Sequence, residues 1–125
     1  MADPIVHQEI PDSGVLLRRI HRIFYDPDLR RISSGAFDGF EMSVNWEKLA
    51  SAHFTAEEDK SGNTVAIASL TAGLCRSLDQ TVEHDPIPEE ATSSANPAHA
   101  LVRGRKSKPI KHKLRDAAIV VWVHR

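Results

Sequence analysis

One cysteine, Cys75, is all this 125-residue chain offers for covalent bracing. A single thiol cannot form an internal disulfide, so the fold must be held by an apolar core, and a reducing compartment is expected. Long apolar runs are missing as well. The longest, Ala117 to Val123, falls well short of the roughly 18 residues a membrane helix needs, so no membrane partner is expected. The opening residues MADPIVHQEIPDSG show no basic stretch followed by an apolar one, which argues against a secretory leader and for a cytoplasmic protein. Neither GxxxxGK[ST] nor GxGxxG occurs, which removes the common phosphate-loop and dinucleotide folds. Seven histidines are present, but none forms HxH, HExxH or a Cys/His pair at ligand spacing. Neither a metal site nor a cofactor is therefore expected.

Aromatic residues make up only 6% of the chain, and charged residues 26%. The charges are sorted. Arg103 to Arg115 (RGRKSKPIKHKLR) holds seven of the sixteen Lys and Arg residues and no acid, so the rest of a chain of net charge −1 carries −8. An acidic body with a basic edge attracts anionic partners, nucleic acid above all. Arg103, Arg105, Lys106, Lys108, Lys111, Lys113 and Arg115 are the expected anion-binding residues. No aromatic side chains are interleaved with them, so binding would be electrostatic and weakly sequence-specific. The competing expectation is that the patch is neutralised by the protein's own acids, such as Glu57, Glu58, Asp59, Glu89 and Glu90.

Length and composition fit one small α+β domain over residues 15–125, with a mixed or antiparallel sheet of about five strands and about three short helices. Residues 1–14 read as an extended arm. Strands are expected at Val15–Ile20, Thr64–Leu70, Thr81–His84 and His99–Val102. The run Ile119–Val123 (IVVWV) reads as a central strand. Asn45 would cap a helix whose apolar stripe is Trp46, Leu49, Ala50 and His53, making His53 a partly buried core histidine. A second helix begins near Thr71. A third, cationic on its outer side, carries Ile110, Leu114, Ala117 and Ala118 inward. Residues 86–97 (PIPEEATSSANP) form a Pro/Ser/acidic loop.

Two further groups of residues could carry chemistry. His99, at a strand entrance, can act as a general base near neutral pH, and Asn96 could orient it. Period-2 counting puts His99, Leu101 and Arg103 on one face, so Arg103 could share a phosphate with His99. Arg18 and Arg19 form a secondary cationic cluster on the first strand, with Ser33 and Ser34 in a glycine-containing loop downstream. An early-strand arginine with a later serine and an acid is the general layout of ADP-ribosyltransferase-like sites. The aromatic-rich and glutamate-containing motifs that complete that layout are not identifiable here, so no resemblance is drawn. The leading expectation is a non-catalytic module that binds a polyanion. The alternatives are a small enzyme acting on a phosphate-containing substrate, and a protein-interaction or homo-oligomeric module using the Val-rich C-terminal strand.

Overall fold

The computed structural model describes residues 7–90 and 94–124, so parts of the expected arm (1–6) and loop (91–93) lie outside the described residues. The described chain is an α+β domain. Its strands are β1 (Val15–His21), β2 (Tyr25–Asp26), β3 (Arg31–Ile32), β4 (Glu41–Trp46), β5 (Thr64–Thr71), β6 (Thr81–His84), β7 (His99–Arg103) and β8 (Ile119–Val123). The helices are α1 (Ala52–Glu57), α2 (Ala72–Ser77) and α3 (Lys108–Ala117). Six strands, not about five, form the main sheet in the order β6-β7-β4-β1-β5-β8, and β2 and β3 form a separate ribbon. Every strand pairing is antiparallel.

Period-2 alternation explains which side of the sheet is the core. Leu16 and Ile20 of β1, Met42, Val44 and Trp46 of β4, Ala66, Ala68 and Leu70 of β5, and Ala100 and Val102 of β7 all point to one face. Cys75 of α2, Leu114 of α3 and Phe37 close over them. The opposite face has a smaller apolar cluster, Leu17, Ile67 and Ala56, with α1 lying on it. Ile10 is also buried, so the segment before β1 is packed into the main core.

Three expectations are overturned. The helix expected from Asn45 is strand as far as Trp46, because Met42, Val44 and Trp46 alternate on the core face while Ser43 and Asn45 face the other way. The helix starts later, at the Ser51 cap, whose hydroxyl accepts from Phe54 N. His53 therefore leaves the core: its side chain is 68% exposed and meets Glu57 at 2.8 Å. Finally, β8 is an edge strand rather than a central one. Its Val120 packs on the main core and its Trp122 on the second cluster, while Ile119, Val121 and Val123 stay exposed.

One irregularity positions everything that follows. β1 pairs with β5 along its whole length, but with β4 only at Leu16↔Trp46 and Leu17↔Asn45. Beyond that point the two central strands separate. Arg18 spans the gap from the core side, donating from Nη1 to Ser43 O at 2.9 Å and from Nε to Ala36 O at 3.1 Å. Burial works against the charge on its guanidinium and lowers its pKa.

Candidate functional site: a histidine cleft and a basic edge

On the α1 side of the sheet, the separation of β1 from β4 leaves room for polar side chains. β7 carries His99 opposite Asn45 of β4. The His99 ring reaches diagonally to Ser43, with Nε2 3.2 Å from the Ser43 Oγ. Its other nitrogen, Nδ1, lies 3.0 Å from the backbone oxygen of Asp85 and 3.1 Å from that residue's Oδ2. Both neighbours of Nδ1 are acceptors, so Nδ1 carries the proton in the neutral ring. Nε2 is then the free base, and the Ser43 hydroxyl donates to it. Asp85 is fixed in turn, because its backbone N–H donates to His99 O at 2.8 Å. A carboxylate, an imidazole and a hydroxyl in this order form a proton-transfer chain of the kind that activates nucleophiles.

Asn96 does not orient His99 through its side chain. It is buried, donating from Nδ2 to Asn45 Oδ1 at 3.0 Å and accepting from Ala98 N at 3.1 Å. Asn45 passes the network on, donating to Thr55 Oγ1 at 3.0 Å and to Glu58 Oε1 at 2.5 Å. A two-residue bridge between Ile87 and Asn96 closes the base of the 86–97 loop beside it. These amides pin the loop and α1 to β4, and so shape the walls of the site.

Two hollows meet at His99. A small one of about 20 Å³, room for about one water, is lined by Arg19, Ser43, Asn45, Thr55, Asn96 and His99. It continues into a cleft of about 590 Å³ lined by Arg19, Phe54, Glu57, Glu58, Lys60, Ile87, Ser94, Asn96 and His99. Arg19 belongs to both. It is exposed and makes no ion pair among the described residues. Phe54 is exposed too, an uncommon placement for an aromatic ring on a small domain. Among the described residues no cluster of His, Cys, Asp and Glu could hold a metal ion.

The basic segment is built differently. Its seven cations were expected on one exposed face, and four of them are already committed. Lys106 is only 8% exposed. Its Nζ donates to Gly39 O at 2.7 Å and Val102 O at 2.9 Å, with Gly104 O at 3.2 Å and Phe40 O at 3.5 Å. The chain turns inward there because Gly104 adopts φ +148°, and a Cβ at that position would meet the Gln80 side chain at 2.8 Å. Burial lowers the Lys106 pKa. Arg103 lies on the same face as His99, but four residues along a strand carry it about 13 Å away. There it faces Glu83 at 3.3 Å and Glu41 at 3.9 Å. Lys111 pairs with Asp38 at 3.0 Å, and its hydrogen bond holds the Asp38 carboxyl below its ordinary range. Arg115 pairs with its neighbour Asp116 at 3.0 Å. Arg105, Lys108 and Lys113 are exposed, with no ion pair among the described residues.

The acids on this edge are thus Asp38, Glu41, Glu83 and Asp116. The acids expected there serve elsewhere: Glu57 meets His53, Glu58 accepts from Asn45, and Asp59 accepts from Ser61 and Thr64. Arg18 and Arg19 split across the sheet by alternation, so only Arg19 reaches the cleft. Ser33 lies beside the β2–β3 ribbon instead, with Ile23, Leu29 and Arg115. Sequence reasoning missed Ser43 and Asp85. Ser43 was legible in the alternation of EMSVNW, once that stretch is taken as strand. Asp85 gives no local sign, because only the pairing of β6 with β7 brings it to His99. No protein family, curated protein or solved structure matches this chain.

Proposed function

We propose that this protein is a small enzyme acting on a phosphate-bearing nucleotide in the cleft beside His99. The observation that carries this reading is the Asp85–His99–Ser43 chain, with its unprotonated Nε2 at the head of a cleft of about 590 Å³. His99 takes a proton from the attacking hydroxyl or water and returns it to the leaving group. Asp85 holds the tautomer and steadies the imidazolium that forms between the two steps. Arg19 is the phosphate ligand: a guanidinium binds phosphate through two parallel N–H bonds, and this one has no carboxylate tied to it. The exposed ring of Phe54 offers a stacking face for a base, and Glu57 and Glu58 are acceptors for sugar hydroxyls.

Arg19 on the first strand, Ser43 on its sheet neighbour and an acid-backed group on a later strand also meet the general layout of ADP-ribosyltransferase-like sites. His99 supported by Asp85 stands here in place of the acid itself. That layout makes nucleotides containing ADP-ribose the first substrates to try. Binding of nicotinamide adenine dinucleotide, ADP-ribose, AMP and pyrophosphate, measured by calorimetry, tests the reading directly. An ADP-ribose-containing ligand should bind, and Arg19→Ala should weaken it by about 10–100-fold, the loss of a charged hydrogen-bonded contact. His99→Ala should leave binding in place and lower turnover by about 10²–10⁴-fold. If none of the four binds, the nucleotide reading fails.

A second reading keeps the protein as a polyanion-binding module. It rests on Arg105, Lys108 and Lys113, the three edge cations with no ion pair among the described residues. Three phosphate contacts give weak, salt-sensitive and sequence-independent binding.

A further inference from the structure

The β8 edge is built against the usual rules for an exposed strand. Edges are normally protected by lysine, proline or a covering loop, because their free N–H and C=O groups pair with any strand that arrives. From Ala117 to Val123 there is no charge and no proline. Beyond β8 the sheet has no further strand among the described residues. Ile119 is 65% exposed, Val121 45% and Val123 41%. Ile23 and Leu29, also exposed, share a hollow of about 580 Å³ with Ala118 and Val120 on one side of this strand. On the other side Val120 to His124 and His53 line a second hollow of about 590 Å³. Five of the seven large exposed hydrophobic residues therefore lie on β8 or beside it. Such gathering marks an interface rather than scattered surface residues.

We propose that the occupant of this edge is a second copy of the chain, its β8 pairing antiparallel with the first about a two-fold axis through Val121. That register sets Ile119 against Val123 and Val120 against Trp122, with no charged residue opposed to another. It joins the two sheets into one of twelve strands. A bulge makes the match two-sided. Ala68 pairs with Val120 and Ile67 with Trp122, so Val121 is the extra residue, and its two neighbours turn to opposite faces of the sheet. An incoming β8 therefore brings apolar side chains to both hollows at once. Five residues of strand span only about 17 Å. Ile23 and Leu29 must be covered with them for the contact to approach the roughly 800 Å² per partner of a stable interface. An isologous contact of this kind closes after two copies, so it gives a dimer rather than a fibre.

The experiment uses the full chain. Light scattering during gel filtration should give a dimer for the wild type and a monomer for Val121→Lys. Because Val121 is already partly exposed, the variant should keep the wild-type circular dichroism spectrum. A cysteine variant gives an independent readout. Directly opposed residues in an antiparallel pair have Cα atoms about 4.5–5.5 Å apart, within disulfide range. Val121→Cys should therefore cross-link between copies under mild oxidation, and Thr81→Cys on the far edge strand should not. Native Cys75 is buried and stays out of the reaction. A monomeric wild type at its highest soluble concentration would overturn the proposal, leaving an extended segment of another protein as the occupant to look for. A dimer that survives Val121→Lys and does not cross-link through Val121→Cys would overturn it equally, by placing the interface elsewhere.

Discussion

The basic edge and the histidine cleft spend their polar groups in opposite ways. Along the edge, the densest run of charge in the sequence is largely consumed by the fold. Lys106 fills a ring of backbone carbonyls, and Arg103, Lys111 and Arg115 face carboxylates of their own chain. In the cleft, a few unremarkable residues are each held by one side and left open on the other. His99 is fixed through Nδ1 and offers Nε2, and Arg19 extends into open volume. Charge counted along a sequence measures how many ions there are, whereas chemistry depends on which of them still lack a partner after folding.

The largest effect that would sharpen this contrast comes from two lysines only two residues apart. Lys106→Glu sets a carboxylate among backbone oxygens that now accept from an ammonium, and the protein should fail to fold. The milder Lys106→Met leaves those carbonyls short of a donor, and urea titration should show a loss of about 2–3 kcal/mol. Lys108→Glu, on the exposed start of α3, should change stability by less than about 0.5 kcal/mol. If Lys106→Met is as harmless as Lys108→Glu, the edge is a uniform cationic surface after all and the comparison collapses.

A smaller effect comes from the thiol beneath that edge. Burial pushes the Cys75 pKa up to about 11, whereas an unfolded cysteine ionises near about 8.5. Between those values the unfolded chain gives up a proton that the folded chain keeps, so stability falls as pH rises through the window. Lys106 has the opposite sign. Its lowered pKa means that the folded chain releases its proton first, and stability rises as pH climbs towards the ordinary lysine value. Cys75→Ala should therefore turn a flat or falling stability profile between about pH 9 and 10.5 into a rising one. A profile whose slope is unchanged by Cys75→Ala would mean that the thiol is not shielded as described.

How much of this was legible beforehand follows from which interactions are local. β1, β5, β6 and β7 show in the sequence because β-branched and apolar runs bounded by turn residues carry their own signal, and α3 shows because its apolar side chains recur at helical spacing. The strand over Glu41–Trp46 was hidden, because Trp46, Leu49, Ala50 and His53 mimic a helical stripe and Asn45 mimics a cap. Burial of Met42, Val44 and Trp46 on one sheet face outweighed that local preference. The run IVVWV gave its conformation correctly and its place in the sheet wrongly, since an apolar strand reads the same whether its neighbours are strands of its own chain or of another. Of the cleft, His99 was found as a residue and Asn96 as a neighbour with a different task. Ser43 and Asp85 come from 56 and 14 residues away, and no local pattern encodes a meeting of that range.

The finest test of the contrast is the salt dependence of duplex DNA binding. Each phosphate neutralised on duplex DNA adds about 0.9 to the slope of log affinity against log salt. If only Arg105, Lys108 and Lys113 are available, the slope should be close to 2.7, at about 0.9 for each of three contacts. If all seven cations of the segment were free, it would be about 6. The two values are far enough apart to separate by fluorescence anisotropy over a modest range of salt. A slope near three that falls by about one in Lys108→Ala would show that the paired cations stay with their acids while the protein is bound. A slope near six would show instead that Glu41, Glu83, Asp38 and Asp116 yield their partners to phosphate. The ion pairs on this edge would then be a latch over a nucleic-acid surface rather than its replacement, and the weight of the functional reading would move from the cleft back to the edge.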